Sequence, residues 1–230
     1  MKPAAAVQIL LQCDSSGKVV RVLGSCFRLW SKKHFITAAH CVDSLEPIQI
    51  QVMNCLDDDK DLRCSSIYRH PRADIAIIEV DEVVPEKFEQ LELCLEDFHF
   101  GPQIHCFGVV CDSNGSLNEL TQRIVGGIIQ RSFIFKEGKY ESRALELSVP
   151  IPKGMSGGPA FIAANDRKVV GVAIATVISE VVVSSIEEYQ IGDKSHKDRI
   201  SEIIRYGVIL KLLTIRDWLE KIMPQTTKVN

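Results

Sequence analysis

Gly154-Met155-Ser156-Gly157-Gly158-Pro159 lies between two apolar runs, 139–149 and 159–163, and the rest of the chain is best read outward from it. Glycine reaches backbone angles that other residues avoid, so this composition makes a tight turn. With glycines around it, Ser156 projects its hydroxyl from the turn and leaves room for a substrate backbone. The amides of Gly154 and Ser156 can then converge on one point, where two donors stabilise an oxyanion. A plain Gly-rich β-turn has a similar composition. The chemical reading therefore needs partners elsewhere in the chain.

The flanking runs belong to a longer rhythm. Segments rich in Val and Ile recur at short intervals, split by Gly, Asn, Asp and Pro, which predicts an all-β fold of about twelve strands. They fall near 4–12, 18–30, 33–38, 47–54, 62–68, 74–80, 103–110, 122–136, 139–149, 159–163, 168–178 and 206–212. The acidic segment 81–101 interrupts the rhythm and reads as a solvated connector. It divides an N-terminal unit, 1–85, from a second unit, 102–213, with 86–101 as the linker. The polar stretch 179–203 reads as a long surface loop. Thr214 and Asp217 have the spacing of a capping box, and Ile215, Trp218, Leu219 and Ile222 follow at helical spacing. A helix over 214–223 is expected, packed on the second unit.

A serine hydroxyl needs a base near neutral pH, and histidine is the usual one. Of the six histidines, His40 ends the apolar run Phe35-Ile36-Thr37-Ala38-Ala39-His40-Cys41, where two small alanines leave its ring free to swing into a cleft. His34, His70 and His196 sit among charged or turn residues. His99 falls in the connector and His105 in a strand. A third group must hold the imidazole in its reactive tautomer. Asp74 opens the apolar run Asp74-Ile75-Ala76-Ile77-Ile78, and a carboxylate at the mouth of a buried strand needs a partner. A strand-capping Asp bonded to backbone amides is the alternative.

Taken together, Thr37-Ala38-Ala39-His40-Cys41, Asp74-Ile75-Ala76 and Gly154-Met155-Ser156-Gly157-Gly158-Pro159 resemble the three signatures of the trypsin-like serine proteases, in the same order and at similar spacing. The resemblance runs over about residues 4–223. It implies two six-stranded Greek-key β-barrels of the chymotrypsin fold with a C-terminal α-helix, and an active site between the barrels. It implies His40, Asp74 and Ser156 as the catalytic triad and the Gly154 and Ser156 amides as the oxyanion hole. It implies cleavage of a protein or peptide substrate through an acyl-enzyme, with no metal or cofactor.

The departures carry information too. Secreted digestive members have Asp before the nucleophile, which pairs with a new N-terminus on activation. Met155 stands there in this chain, so it is expected to be active as made or gated by a regulatory protein partner. The pattern looks instead like the bacterial and organellar members, including single-domain bacterial peptidases with one dedicated substrate. Cys41 matches the secreted pattern, but its usual partner would lie slightly before Cys26. The resemblance also puts the base of the primary pocket at Pro150 and its far wall at Ile174, Ala175 and Thr176, a neutral or apolar pocket, with Lys153 on its rim or simply in solvent. The competing reading is a protease-like fold used as a catalytically silent binding or scaffold module.

Whole-chain properties agree with a soluble globular protein. Hydrophobic residues make up 46% of the 230 residues, and 27 basic against 30 acidic residues leave a net charge of −3. That balance gives no basis for a nucleic-acid or membrane-surface partner. No apolar run approaches the roughly 18 residues of a membrane span. The N-terminal apolar stretch ends by Gln12, too soon for a secretory signal, so a cytoplasmic site is expected. The eight cysteines include no CxxC pair, which leaves a zinc site without support. They are expected as buried thiols, with Cys26–Cys41 as the one bridge to consider.

Overall fold

The first strand, β1 (Val7–Cys13), is buried on both of its faces. Val7, Ile9 and Leu11 pack with Val109, while Leu10 joins a different cluster with Phe27, Phe35 and Val52. Side chains alternate across a strand, so an apolar residue on each side of the pleat buries both. This is the position of a strand caught between two β structures. The structure, a computed structural model, describes residues 6–54, 61–85, 88–111, 120–191 and 194–224. Side chains at 111, 166 and 180–201 lie outside that description.

β1 is followed by β2 (Val19–Phe27), β3 (His34–Thr37), β4 (Ile50–Asn54), β5 (Leu62–Arg69) and β6 (Ala76–Val80). These close into a barrel in the order β1-β2-β3-β6-β5-β4, a Greek-key order. Closure leaves no free sheet edge. The second unit has β7 (Glu92–Leu93), β8 (Gln103–Cys111), β9 (Leu120–Glu137), β10 (Tyr140–Leu147), β11 (Pro159–Ile162), β12 (Asn165–Ile191) and β13 (Lys194–Lys211). Its sheet runs β11-β8-β9-β10-β13-β12-β7, and β11 also pairs with β12. That last pairing closes six of the seven strands into a second barrel. The short β7 adds to β12 in parallel. The fold is therefore the all-β, two-barrel chymotrypsin-like architecture.

Several expectations need correction. The stretch 179–203 is not a surface loop. It continues β12 and β13 as a ribbon, paired from Ser179↔Ile204 out to Ile191↔Lys194. Its many β-branched residues favour extended backbone, and its charges concealed that signal. The connector is not simply solvated, because Phe88, Leu91 and Cys94 are buried. The buried Arg28 holds it, donating to the Phe88 carbonyl at 2.7 Å and accepting the Leu91 amide at 2.9 Å on its own carbonyl.

The capping box does not form. Thr214 Oγ1 donates to the Lys211 carbonyl at 2.8 Å within a 3-10 turn, and the helix α1 (Arg216–Ile222) starts later. The helix also leans on the first barrel. Trp218 meets the His70 ring edge-on, and Trp30 Nε1 donates to the Met223 carbonyl. Cys26 and Cys41 are not joined in a disulfide, so the bridge between them is not made. No helix among the described residues is long and apolar enough to cross a membrane.

The barrels meet without slack. The Ser25 amide donates to the Ser156 carbonyl at 2.8 Å, and the Glu141 amide donates to the Arg72 carbonyl at 2.8 Å. Gly157 has φ +85°, and a Cβ there would fall 2.0 Å from the Ser25 carbonyl oxygen and 2.3 Å from Thr37 Oγ1. Gly157→Ala should therefore cost at least about 2 kcal/mol, from the left-handed backbone plus the clash. Urea unfolding reads this directly. An unchanged midpoint would mean that the barrels do not dock in this way.

Candidate active site

β3 stops at Thr37, whose buried hydroxyl donates to the Ser25 carbonyl at 2.8 Å. The next residues, Ala38 and Ala39, are fully buried and leave no room for a larger side chain. The chain then makes a 3-10 turn over Ala39–Cys41. His40 therefore sits on a turn after the strand rather than at the strand's end, with 40% of its side chain exposed.

Asp74 also sits outside its strand, since β6 begins at Ala76. It is held by a compact turn. The His70 amide donates to the Ile75 carbonyl at 2.9 Å, and the Ile75 amide to the Ala73 carbonyl at 2.8 Å. The His70 ring completes the turn, because its Nδ1 accepts the Ala73 amide at 2.8 Å and the Arg72 amide at 3.2 Å. Only 3% of Asp74 is exposed.

The two side chains grip each other. His40 Nδ1 lies 2.7 Å from Asp74 Oδ2, and the His40 amide donates to Asp74 Oδ1 at 2.9 Å. An ionised carboxylate only accepts, so the proton is on Nδ1 and Nε2 is left for a substrate-side proton. Burial pulls the His40 pKa down. The hydrogen bond to Asp74, the Cys41 sulfur and the Asp74 charge outweigh it and hold the imidazole above its ordinary value. A carboxylate partner acts in that direction.

Ser156 comes from the other barrel. Gly154 and Gly157 both have positive φ, and the turn between them is tied down by Gly157 N–H to the Ala173 carbonyl at 2.8 Å and Gly158 N–H to the Met155 carbonyl at 3.0 Å. Met155 is fully buried in the second barrel's core, in space left by Gly108, where a Cβ would fall 2.6 Å from the Met155 Cα. Packing thus holds the turn where the secreted pattern has a charge. The Ser156 carbonyl is pinned by the Ser25 amide and approached by Cys41 Sγ at 3.9 Å, one residue from His40.

The Ser156 hydroxyl donates to the Ile174 carbonyl at 3.3 Å. Among the described residues it makes no hydrogen bond to His40. The structure thus brings His40 and Asp74 into direct contact, whereas Ser156 meets this region through its carbonyl at Cys41 Sγ and turns its hydroxyl to Ile174, so the third link is not made. Links of this kind are often long before substrate binds. The amides of Gly154 and Ser156 donate to no acceptor among the described residues.

A cleft of about 680 Å³ runs past the pair, lined by His40, Asp74, the hairpin tip Glu137–Tyr140, and Ile174, Ala175 and Thr176. Ile174, Ala175 and Thr176, expected as one wall of the primary pocket, thus face this cleft. Pro150, expected at the base of that pocket, is exposed, while the next residue, Ile151, is buried. Lys153 is exposed as well. Among the described residues no group of His, Cys, Asp and Glu is placed to hold a metal ion.

Sequence reasoning missed two participants. Ser25 is fully buried, and its hydroxyl accepts the Val109 amide at 2.8 Å while lying 3.3 Å from the Gly154 carbonyl. Asp43 takes Lys139 Nζ at 3.1 Å and so latches the hairpin tip to the first barrel beside His40. The run of small residues Gly24-Ser25 before Phe27 was the one available hint of the first.

Comparison with known proteins accords with this geometry. The model of the trypsin-like peptidase domain matches residues 24–172, and the chain belongs to that family. No individual curated protein matches it. Among solved structures it is similar to the Rv3671c protease from M. tuberculosis in its active form, at 18% identity and TM-score 0.65, covering 99% of this chain and 85% of that one. The MamO protease domain from Magnetospirillum magneticum gives 16% identity and TM-score 0.64, covering 94% and 96%. The HtrA-type protease AlgW with a decapeptide gives 17% and 0.63, covering 96% and 66%. At these identities the likeness speaks for the fold.

The raised His40 pKa has a definite sign. The stability of the charged pair is complete below about 6.5 and is lost as pH rises through the folded value. A base must be neutral, so activity should climb with pH through that same raised value. NMR titration of the His40 ring should give a pKa above about 6.5, moving down in Asp74→Asn. A ring titrating at or below the free value in the native protein would contradict the pairing.

Proposed function

We propose that this peptidase-family protein is a serine endopeptidase that hydrolyses protein peptide bonds through an acyl-enzyme. One observation carries the reading. A buried carboxylate holds His40 by ring and backbone, in a cleft shared with the strand that receives the Ser156 hydroxyl. Ser156 Oγ attacks the carbonyl carbon while its proton passes to His40 Nε2. The Gly154 and Ser156 amides take the oxyanion. His40 returns the proton to the leaving amine as the peptide bond breaks. Water, deprotonated by His40, then releases the acid and regenerates Ser156.

The reading includes narrow processing of a partner protein and gating by a regulatory one. What supports gating is the ribbon of β12 and β13, which grows directly from the cleft strand at Ala175–Thr176. What supports a reducing, cytoplasmic setting is the set of buried free thiols, Cys26, Cys41, Cys64 and Cys106 among them.

A second reading, a silent binding module, draws on the Ser156 hydroxyl, which faces Ile174 instead of His40. A fluorophosphonate probe separates the two. The wild type should label and Ser156→Ala should not, with its melting temperature kept within a few degrees. A folded wild type that stays unlabelled would favour the binding module.

A further inference from the structure

We infer that the site accepts only a small, uncharged side chain on the acyl side of the cut bond, because Ile151 and Thr176 already occupy the space where a larger one would go. This inference rests on the serine-peptidase reading above.

The geometry starts at the nucleophile. An acyl carbon bonded to Ser156 Oγ must send its side chain between the two segments flanking that hydroxyl. One is the approach loop, 149–154. The other is the strand beyond Ile174, whose carbonyl takes the Ser156 hydroxyl. These walls are strapped together. Thr176 Oγ1 accepts the Ile151 amide at 2.9 Å and donates to the Ile151 carbonyl at 2.8 Å. One hydroxyl therefore bridges the loop to the strand, and it satisfies both polar groups of Ile151. A side chain entering there has to displace both bonds and leave buried backbone groups unpaired, which is costly.

Behind the strap the space is filled. Gly207 pairs with Thr176 across β12 and β13. Its amide donates to the Val149 carbonyl at 2.8 Å. A Cβ on Gly207 would fall 2.8 Å from Ile151 Cγ1 and 2.7 Å from the Val149 oxygen. The hollow that a glycine leaves is thus taken by the Ile151 side chain. Ile151 is 7% exposed and packs in the second barrel's core with Met155, Ala173 and Ile209. Interiors are packed too densely for a further large group to enter without forcing side chains off their rotamers.

Charge gives no way in either. Segments 149–154, 174–176 and Gly207 contain no carboxylate to pair with a Lys or Arg side chain. A small side chain such as Ala or Ser needs little depth and leaves the strap intact. Binding energy must then come from residues lying along the cleft past His40, where there is about 680 Å³ of room. An enzyme with a shallow primary pocket reads its substrate mainly through that longer contact, which fits a narrow range of partners.

The test uses peptidyl phosphonates that differ only at the residue joined to phosphorus. The wild type should be inactivated at least 10-fold faster by the Ala compound than by the Leu, Phe or Lys compounds. Thr176→Gly and Ile151→Ala should each raise the Leu and Phe rates at least 10-fold. Thr176→Val removes both hydrogen bonds but keeps the bulk, so it should keep the preference for Ala even if the other variants fold poorly. Equal or faster inactivation by the larger compounds, in a wild type that labels with fluorophosphonate, overturns the pocket inference alone. A wild type that labels with neither probe overturns the serine-peptidase reading. The pocket is then read by NMR titration of Ser156→Ala with acetyl-tetrapeptides ending in Ala, Leu, Phe or Lys. Tighter saturable binding of the Ala peptide supports the inference. Equal binding, or none by that peptide, sinks it.

Discussion

A buried carboxylate costs several kcal/mol unless donors surround it, and the arrangement of this site follows from where Asp74 finds them. Two come from one residue, the ring and the backbone amide of His40. That double grip leaves the imidazole little freedom, and it explains why the segments on either side are so tightly built. The turn over Ala39–Cys41 presents the amide. The His70–Ile75 turn presents the carboxylate, with the His70 ring accepting two amides to keep it closed. Trp218 then braces the same ring from the C-terminal helix. A short helix at the end of the chain thereby supports a side chain that acts far from it in sequence.

The second requirement is that the other barrel deliver its hydroxyl to the same place. Here Ser25 is the hinge pin. Its amide holds the Ser156 carbonyl, its carbonyl holds Thr37, and its hydroxyl takes the Val109 amide. The missing Cβ of Gly157 allows this approach. Met155 contributes by packing, seated against Gly108 in the second barrel's core. In the resembled secreted enzymes an ion pair made at activation arranges this turn. In this chain apolar contact holds it, with Met155 buried in the core.

The same close packing that steadies the nucleophile also narrows what can reach it. Thr176 and Ile151 knit the approach loop to the cleft strand, and that strand runs on into the ribbon of β12 and β13. Position, selectivity and any outside control therefore share one continuous piece of chain. A two-stranded ribbon has little stability of its own, which makes it sensitive to whatever touches it.

Much of this was legible in the residues alone. Period-2 apolar runs marked the strands, and the motifs around His40, Asp74 and Ser156 picked out the candidate groups, because only particular side chains can serve as a base, an orienting acid or a nucleophile. Local order was less legible where two signals competed. In 179–203 charge hid β-branched residues, and at Thr214 a spacing suited to a cap was used for a 3-10 turn. Ser25 and Ile151 had no chemical label, since a buried serine and an isoleucine look the same whether or not a nucleophile leans on them. Pro150 is exposed and Ile151 buried, a difference of one position that counting back from Ser156 could not resolve. Chemical capacity is a property of each side chain and travels with the sequence. Distance and direction between side chains from different segments arise only when both barrels close and dock, and that is where the His40–Asp74 contact, the unclosed third link and the Thr176–Ile151 strap were decided.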